Sequence, residues 1–335
     1  MSKVIFTVDE HNENNNAGPK AKVDFDYFMS KEGYQIVHQH FDVHSKFKKF
    51  LYGSFIIPNL FHHDYYDEMI FQYPTYSSYI MKRMIPKMRE HSKKLYFLIH
   101  DVESLRLSVG NDEYLASERE LFNLADGLIV HNSQMRHWLS VHGISVPMVD
   151  LDIFDYQNPQ PVQSDGEYQY SICFAGNLAK SDFLNKLSLN KAKLDIYGPH
   201  PSSQYQHGVV YKGIYSPNEL PKHLSENFGL VWDGSSVDTC DGKYGNYLRY
   251  NAPHKTSLYL STGIPVIIWK KAALADFIVE HCVGMTVDSL EELDDVLTNI
   301  TADDYKKMKL NAIKLARQIR SGYYSTQAVK AIEQY

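Results

Sequence analysis

The sequence predicts an α/β protein built from two Rossmann-like halves. The chain has 335 residues, which is more than one hydrophobic core usually supports. Short runs rich in Val, Ile, Phe and Tyr alternate with amphipathic helical patterns from end to end, as in βαβ units around a parallel sheet. Near the middle, residues 155–168 (DYQNPQPVQSDGEY) interrupt this pattern with two Pro and one Gly. We therefore predict an N-terminal domain (1–154), a linker (155–168) and a C-terminal domain (169–320).

The elements of the first half follow from its apolar runs. Strands are predicted at 4–8, 34–39, 68–72, 95–100, 127–131 and 146–151, and helices at 79–91, 113–125 and 134–142. The segment 52–66 fits neither pattern, because Gly53 and Pro58 interrupt it. Asn132 or Ser133 is expected to cap the helix that follows the fifth strand.

The pattern restarts after the linker. Strands are predicted at 170–175, 194–197, 229–232, 265–269 and 284–287, and helices at 179–187, 217–224, 255–261, 272–280, 290–297, 302–318 and 326–333. In folds of two facing Rossmann halves the last helix often crosses back to the first domain, and by analogy we expect this of residues 321–335. Tandem sheets of this kind bind ligands at the carboxyl ends of their strands, which here are expected to face one cleft.

Composition narrows the class of protein. The net charge is −6, from 40 acidic and 34 basic residues, which argues against nucleic acid as a partner. The three cysteines, at 173, 240 and 282, are odd in number and far apart, as in a reducing compartment. The chain shows no signal peptide pattern, and no stretch approaches the roughly 20 apolar residues of a membrane span. A cytoplasmic protein without a membrane span is expected.

Two candidate sites lie in the first half. The loop 9–20 (DEHNENNNAGPK) follows the first strand, and Gly18 would let its backbone approach a ligand. The loop has no G-x-G-x-x-G fingerprint, so no dinucleotide cofactor is expected, and a flexible polar loop is the alternative. His100 and Asp101 end the apolar run LYFLIHD, where either side chain could accept a proton from a substrate hydroxyl. The alternative is an Asp cap beside a satisfied His.

Two further candidates are βα turns of the second half that carry a lysine. In FAGNLAK (174–180), Lys180 and the following helix would offer an ammonium and N–H groups to a phosphate. In YLRYNAPHKTS (247–257), Asn251 is a candidate cap, Pro253 a first-turn residue, and Lys255 and Thr256 first-turn neighbours. A lysine there opposes the helix dipole unless an anion shares the site, and a diphosphate would be that anion. In both turns an exposed surface lysine is the alternative.

The loop 233–250 (DGSSVDTCDGKYGNYLRY) is long for a compact domain, and such loops are usually functional or mobile. Asp233, Asp238 and Asp241 fit no calcium-loop spacing, so no metal is expected.

Taken together, these segments resemble a known family. The motifs are FLIHDVE, FAGN followed by K, IYSPNEL, FGLVWDG and YN-P-K followed by L-GIPVI. Their order and spacing are similar to those of accessory glycosyltransferases of serine-rich-repeat adhesin pathways and of related bacterial galactofuranosyl- and glucosyltransferases. The match spans most of the chain and is strongest from Phe174 to Val287.

The resemblance implies a GT-B fold, a UDP-sugar donor and neither metal nor cofactor. It also implies O-linked GlcNAc on a Ser/Thr-rich adhesin as acceptor and a homotetramer. By position, Lys180 and Lys255 would hold the diphosphate beside Asn177, and Tyr215 would lie near the uridine. Asn16 and Gly18 would line the donor–acceptor side of the N-terminal loop. The small residues Ser235, Ser236, Thr239 and Cys240, after Asp233, would leave room for the N-acetyl group of GlcNAc, which we therefore favour over glucose.

Two other functions remain open at this point. One is a galactofuranosyl- or hexosyltransferase of surface polysaccharide synthesis. The other is a GT-B-like chaperone or binding subunit without turnover. In the favoured mechanism the acceptor hydroxyl attacks the anomeric carbon, Asp101 or His100 assists, and fixed cations stabilise the leaving UDP.

Overall fold

A computed structural model describes residues 2–9, 17–42, 45–61, 64–75, 77–164 and 166–335. The chain forms two compact units. Unit 1 contains the start of the chain, Gly18–Leu151 and the C-terminal segment Ser325–Tyr335, and unit 2 contains Asp152–Tyr324. Within the described ranges, no helix combines the length and apolar character that crossing a bilayer requires.

Unit 1 is built on a six-stranded sheet. Its strands are β1 (Lys3–Asp9), β2 (Gln35–His40), β3 (Tyr66–Tyr73), β4 (Ser92–Ile99), β5 (Gly127–Val130) and β6 (Met148–Asp150). All neighbours are parallel, in the order β2-β1-β3-β4-β5-β6. All of these strands were predicted, with ends shifted by a few residues. The direction of strand addition reverses between β1 and β3, and such switch points are where doubly wound sheets bind ligands.

The helices of unit 1 cover this sheet. They are α1 (Ala17–Lys31), α2 (Lys46–Leu51), α3 (Ser78–Glu90), α4 (Glu103–Arg106), α5 (Asp112–Phe122) and α6 (Ser133–Val141). The segment that fitted no pattern is also helical in part, with a π-helical turn at Tyr52–Ile56 and a 3₁₀ turn at Ile57–Asn59. The predicted cap is confirmed, because Asn132 Oδ1 accepts hydrogen bonds from the N–H groups of Gln134 and Met135 at 3.0 and 3.1 Å.

Unit 2 has a second six-stranded parallel sheet. Its strands are β7 (Ser171–Ala175), β8 (Lys193–Tyr197), β9 (Val209–Gly213), β10 (Phe228–Val231), β11 (Val266–Trp269) and β12 (Gly284–Val287), in the order β12-β11-β10-β7-β8-β9. This is the Rossmann order, with its switch point between β7 and β10. The sequence did not predict β9. It is an edge strand in which only Val209 is buried, so it has no apolar run.

The helices of unit 2 are α7 (Leu220–His223), α8 (Gly242–Tyr247), α9 (His254–Thr262), α10 (Ala275–Glu280), α11 (Leu293–Asn299) and α12 (Ala302–Ser321), and α13 (Tyr323–Ile332) ends the chain. The predicted helix at 179–187 is wrong, because two 3₁₀ turns, Leu178–Lys180 and Asp182–Asn185, stand there instead. Ser181 between them has φ −123° and ψ 53°, which interrupts a helical backbone.

The segment predicted as a linker packs more closely than its composition indicates. Asp155, Tyr156 and Asn158 are buried. Asn158 Nδ2 donates to Ser261 Oγ at 3.1 Å, and the N–H of Gln163 donates to the carbonyl of Thr262 at 3.0 Å. The described part of this segment therefore packs against the C-terminal end of α9.

The C-terminal segment is fixed to the sheet of unit 1 by a partly buried ionic cluster. Lys3 Nζ lies 3.3 Å from Glu68 and also contacts Glu333. The hydroxyl of Tyr34 donates to Glu333 at 2.7 Å. Glu333, directly after α13, thus ties the C-terminal segment to β1 and to Tyr34.

Candidate active site

The switch point of unit 2 holds one of the predicted lysines. Lys255, in the first turn of α9, places Nζ 2.9 Å from Asp233 Oδ1 and 3.1 Å from the carbonyl of Trp232, directly after β10. The same ammonium lies 4.6 Å from the centre of the Phe174 ring on β7. The structure therefore brings Lys255 and Asp233 together at the carboxyl ends of the two central strands.

This ion pair corrects one step of the sequence argument. The lysine was expected to need an external anion, because it opposes the dipole of α9. Asp233 supplies a carboxylate within the protein, and both side chains are mostly buried, with 15% and 22% exposure. The charge of Lys255 alone therefore does not require a ligand.

The start of α9 gives stronger evidence for a ligand site than the charge of Lys255 does. Asn251 Oδ1, Thr256 Oγ1 and Ser257 Oγ are buried and have no hydrogen-bond partner in the described part of the chain. Further along the same helix, Thr262 Oγ1 donates to the carbonyl of Tyr259 at 2.6 Å. Buried polar atoms are nearly always paired in native proteins, so unpaired ones gathered at one helix end mark a place where a ligand would complete the bonding.

The end of this helix differs from the prediction in detail. α9 begins at His254, so Pro253 is the capping residue rather than a first-turn residue, and it makes no side-chain cap. Asn251 precedes it and is not the cap. The first-turn N–H groups are consequently not satisfied by an Asn side chain as expected.

Lys180 lies at an open pocket of about 250 Å³ in unit 2. Its Nζ stands 4.7 Å from the centre of the Tyr244 ring. Asn177 caps the 3₁₀ turn that contains Lys180, because its side chain accepts a hydrogen bond from the N–H of Ala179 at 3.1 Å. The pocket is lined by Ala179, Lys180, Asp182, Gly234, Ser235, Asp241, Gly242, Lys243 and Tyr244.

The loop after β10 is ordered by Asp241. Its carboxylate accepts from the hydroxyl of Ser235 at 2.9 Å and from the N–H of Ser236 at 3.2 Å, as well as from the N–H of Ser235. Burial acts to raise the pKa of Asp241, but these hydrogen bonds outweigh it and lower the pKa below its ordinary value. Gly234 has φ +115°, and a Cβ there would lie 2.3 Å from Asp241 Oδ1. The loop is thus a fixed turn around one carboxylate.

One predicted donor residue, Cys240, is placed differently from the expectation, whereas the place of Tyr215 near a uridine stays a prediction. Cys240 is only 2% exposed, and burial raises the pKa of its thiol. It packs inside the loop and does not line the pocket, so a larger residue there would disturb packing rather than probe a sugar. Tyr215 stacks on His223 with ring centres 3.7 Å apart. Among the described residues, no contact joins Tyr215 to Lys180 or Lys255.

In unit 1, the predicted acid–base residues follow β4. Asp101 Oδ2 lies 2.8 Å from Arg106 Nη1, so the carboxylate is ion-paired. The residue at the cap position of α4 is Val102, which makes no side-chain cap. Instead, Glu118 on α5 secures this helix, accepting from the N–H groups of Glu103 and Ser104 at 3.1 and 3.0 Å.

His100 belongs to a hydrogen-bond network that the sequence reasoning missed. Its Nε2 lies 2.8 Å from Gln72 Oε1. Gln72 Nε2 donates to Thr7 Oγ1 at 2.7 Å and to Asp26 Oδ1 at 2.8 Å. Thr7 is on β1 and Gln72 on β3, so the network crosses the switch point of unit 1. The available signal was a polar residue inside each of two apolar strands, VIFTVD and MIFQY.

Asp26 is the buried charge of this network. Burial raises its pKa from an ordinary 3.8 to about 6, against the hydrogen bond from Thr7 and the nearby His38, which lower it. His38 Nε2 lies 3.5 Å from Asp26 Oδ2. A carboxylate thus titrates within hydrogen-bond reach of the amide that orients His100.

The remaining predictions concern the first loop and metals. Gly18 lies in the first turn of α1, and Asn16 lies outside the described residues. Within the ranges that the structure describes, no group of three or more His, Cys, Asp or Glu is arranged to hold a metal ion.

Comparison with known proteins assigns the family. The model of the glucosyltransferase 3-like N-terminal domain matches residues 3–153, and that of the C-terminal domain matches residues 172–332. The chain is 34% identical over 244 residues to beta-1,6-galactofuranosyltransferase WbbI of Escherichia coli K12, covering 70% of each protein. It is 30% identical over 269 residues to glucosyltransferase 3 of Streptococcus gordonii, covering 79% of this chain and 78% of the relative.

Solved structures agree on the fold. Sucrose-phosphate synthase from Thermosynechococcus elongatus superposes with a TM-score of 0.68 at 11% identity, covering 99% of this chain and 98% of that one. The predicted α/β class with two Rossmann-like sheets is confirmed, and it is the GT-B class of glycosyltransferases. The chain therefore belongs to the glucosyltransferase 3-like family and is a glycosyltransferase.

Proposed function

We propose that unit 2 binds the diphosphate of a UDP-hexose at the start of α9, and that the protein transfers the hexose to an acceptor hydroxyl. The observation that carries this is the set of buried unpaired atoms, Asn251 Oδ1, Thr256 Oγ1 and Ser257 Oγ, beside Lys255 at the switch point. Hydroxyl groups, helix N–H groups and an ammonium are donors that phosphate oxygens accept. Asn251 Oδ1 would accept from a ribose or sugar hydroxyl.

The proposed reaction is a direct transfer. The acceptor oxygen forms a bond to the anomeric carbon, the bond from that carbon to the diphosphate oxygen breaks, and UDP leaves with the electron pair. Lys255, Lys180 and the first turn of α9 stabilise the charge that develops on UDP. Asn177 caps the turn that carries Lys180, and Asp233 holds the ammonium of Lys255. The scheme needs neither metal nor cofactor.

The proton of the acceptor hydroxyl goes to Asp101 in this proposal, with His100 as its neighbour. The support is their place directly after β4, at the ligand-binding edge of the sheet of unit 1. The ion pair with Arg106 holds the carboxylate of Asp101 at this edge.

The donor sugar and the acceptor are finer proposals. We favour GlcNAc over glucose as the hexose, and O-linked GlcNAc on a Ser/Thr-rich adhesin as the acceptor. Of the small loop residues behind the choice of GlcNAc, Ser235 lines the pocket and Cys240 does not. The second candidate is galactofuranosyl transfer in surface polysaccharide synthesis, favoured by the 34% identical galactofuranosyltransferase. UDP release from UDP-GlcNAc, UDP-glucose and UDP-galactofuranose separates these donors, and absence of release from all three would indicate a non-catalytic subunit.

The assembly proposed with this function is a cytoplasmic homotetramer, which rests on the family resemblance. Light scattering of the purified protein during size-exclusion chromatography gives the oligomeric state directly.

The donor site is tested by Thr256→Val, which replaces a buried hydroxyl by a methyl of the same shape. If the hydroxyl serves only the fold, its removal relieves an unpaired polar atom, and stability stays equal or rises. If it binds the diphosphate, UDP affinity falls about tenfold while stability does not fall. Calorimetric titration with UDP and thermal unfolding measure the two effects.

Thr262→Val is the matched control. Thr262 is equally buried in the same helix, but its hydroxyl is already bonded to the carbonyl of Tyr259. This variant is expected to lose stability and keep its UDP affinity. Equal UDP affinity in the Thr256 variant and the unmodified protein would remove the start of α9 from the donor site.

A further inference from the structure

Residues 46–56 of unit 1 (KFKKFLYGSFI) form a helical segment that buries none of its own residues. It consists of α2 and the π-helical turn that follows, and we call it the aromatic-basic segment. Its large apolar residues are unusually exposed to solvent. The exposed fraction is 71% for Phe47, 56% for Phe50, 63% for Phe55 and 40% for Ile56. Neighbouring exposed apolar side chains of this size usually mark an interaction surface.

The exposure is not a consequence of a loose segment. Directly after it, Ile57 is 1% exposed and Phe61 packs against Phe6 with ring centres 5.5 Å apart. Within it, the ring of Tyr52 lies 5.0 Å from that of Phe41. The backbone is therefore anchored to the core of unit 1 while the phenylalanines face outward.

The same segment concentrates positive charge. Lys46, Lys48 and Lys49 alternate with its phenylalanines, although the whole chain carries a net charge of −6. Lys48 pairs with Asp42 at 2.9 Å. In the part of the chain that the structure describes, no carboxylate lies within ion-pairing distance of Lys46 or Lys49.

A neighbouring helix adds to this charge. Gly53 of the segment lies against the side chains of Tyr79 and Arg83 on α3. The guanidinium of Arg83 stacks 3.6 Å from the centre of the Tyr79 ring, and it has no carboxylate partner among the described residues. The phenylalanines thus stand among cations from two helices.

We propose that the aromatic-basic segment docks the protein on the surface of an anionic lipid bilayer. Phenylalanines interleaved with lysines on a short helix are the composition of interfacial helices, whose apolar side chains enter the headgroup boundary while the lysines meet phosphates. Charge complementarity favours lipid over a second copy of this chain. A two-fold contact through this segment would set the lysines of one copy against those of the other. The inference goes beyond the proposed function, and its test needs no catalytic activity.

The test is co-sedimentation of the full chain with vesicles. Phosphatidylcholine vesicles containing phosphatidylglycerol are compared with vesicles of phosphatidylcholine alone. The unmodified protein is expected to bind the anionic vesicles, less strongly as salt rises. The double variant Lys46→Glu with Lys49→Glu is expected to bind them about tenfold more weakly or worse. The double variant Phe47→Ser with Phe50→Ser is expected to lose binding to the anionic vesicles even at low salt.

Lys306→Glu combined with Leu310→Ser is the matched control, since both residues are exposed on α12 of unit 2. It changes the same kinds of side chain elsewhere and should bind vesicles as the unmodified protein does. Thermal unfolding confirms that each variant is folded.

Three results would overturn the proposal. One is an unmodified protein that stays in the supernatant with anionic vesicles. Another is a control variant that loses binding as strongly as the segment variants. The third is a phenylalanine variant that changes the oligomeric state in light scattering but keeps vesicle binding, which would make the segment a contact between copies. UDP titration of the same samples keeps this outcome separate from the donor site.

Discussion

At the scale of single residues, the two charged side chains central to the proposal already have ionic partners. Lys255 pairs with Asp233 and Asp101 pairs with Arg106, at 2.9 and 2.8 Å. The sequence identified both members of the first pair, and Asp101 of the second, at strand ends or a helix start where function was expected. It could not give Arg106 as a partner, because which side chains meet across a short helix depends on packing. Each pair fixes a flexible side chain in place before substrate binds.

Asp101→Asn tests the proposed catalytic base. The change removes the ability to accept a proton while keeping size and polarity, so turnover is expected to fall on the order of 10²-fold or more. UDP affinity should stay nearly constant, because unit 2 provides the diphosphate contacts. The measurement is UDP release at saturating donor, together with calorimetric titration of UDP.

Glu103→Gln is the control for this change, since Glu103 also contacts Arg106. It should leave turnover close to normal. Near-normal turnover in a folded Asp101→Asn protein would make Asp101 a structural partner of Arg106.

Asp26→Asn tests the buried carboxylate behind His100. With a folded-state pKa of about 6 against an ordinary 3.8, the folded state holds a proton that the unfolded state has lost across this interval. The free energy of unfolding contributed by Asp26 is thus fully present below pH 3.8 and is lost as pH rises to about 6, by up to roughly 3 kcal/mol. The Asn variant should lack this part of the slope in urea unfolding at a series of pH values. An identical slope in both proteins would show that Asp26 does not titrate there.

At the scale of elements, strands with continuous apolar runs were predicted well and short irregular elements were not. Central parallel strands are buried on both faces, so they appear in the sequence as continuous apolar runs. β9 lacks that signal because it is a largely exposed edge strand. The turns at 178–185 have apolar residues at helical spacing, but the capping bond of Asn177 and the backbone of Ser181 divide them into 3₁₀ turns. Whether such a segment forms an α-helix or 3₁₀ turns depends on hydrogen bonds that the spacing of apolar residues does not reveal.

Asp294→Ala tests how one helix secures a neighbouring turn in unit 2. From α11, its carboxylate accepts from the N–H groups of Asn190, Lys191 and Ala192 at 2.7, 3.1 and 2.8 Å, just before β8. Burial acts to raise the pKa of Asp294, but these bonds lower it below the ordinary 3.8. Its contribution to stability is therefore present above that pH and is lost as pH falls. Alanine should reduce the free energy of unfolding by about 1–3 kcal/mol at neutral pH.

The adjacent Asp295→Ala is the control, because the side chain of Asp295 is 84% exposed. It should change stability by less than about 0.5 kcal/mol. Equal losses in the two variants, in denaturant unfolding, would argue against a specific role for the three hydrogen bonds.

At the scale of the whole molecule, both units place polar side chains at the point where their strand order reverses. In unit 1 these are Thr7 and Gln72, and in unit 2 they are Asp233 and Lys255. The sequence predicted two doubly wound halves and candidate site residues at the strand ends of each. It could not give the strand orders, because neighbours such as β7 and β10 are far apart in the chain and pair only through tertiary packing. Within each unit, the strand order is what brings separate motifs to the same edge of the sheet.

Binding of a UDP-sugar diphosphate to unit 2 through Lys255 can be tested by titrating UDP into the unmodified protein and two lysine variants. Lys255→Ala removes the ammonium at the switch point. Lys270→Ala removes an ammonium from a Lys–Asp pair on the exposed surface of the same unit. In that pair, Lys270 Nζ lies 2.9 Å from Asp288. We expect saturable UDP binding that weakens roughly ten- to a hundredfold in the Lys255 variant and is unchanged in the Lys270 variant. UDP affinity equal in all three proteins would contradict it.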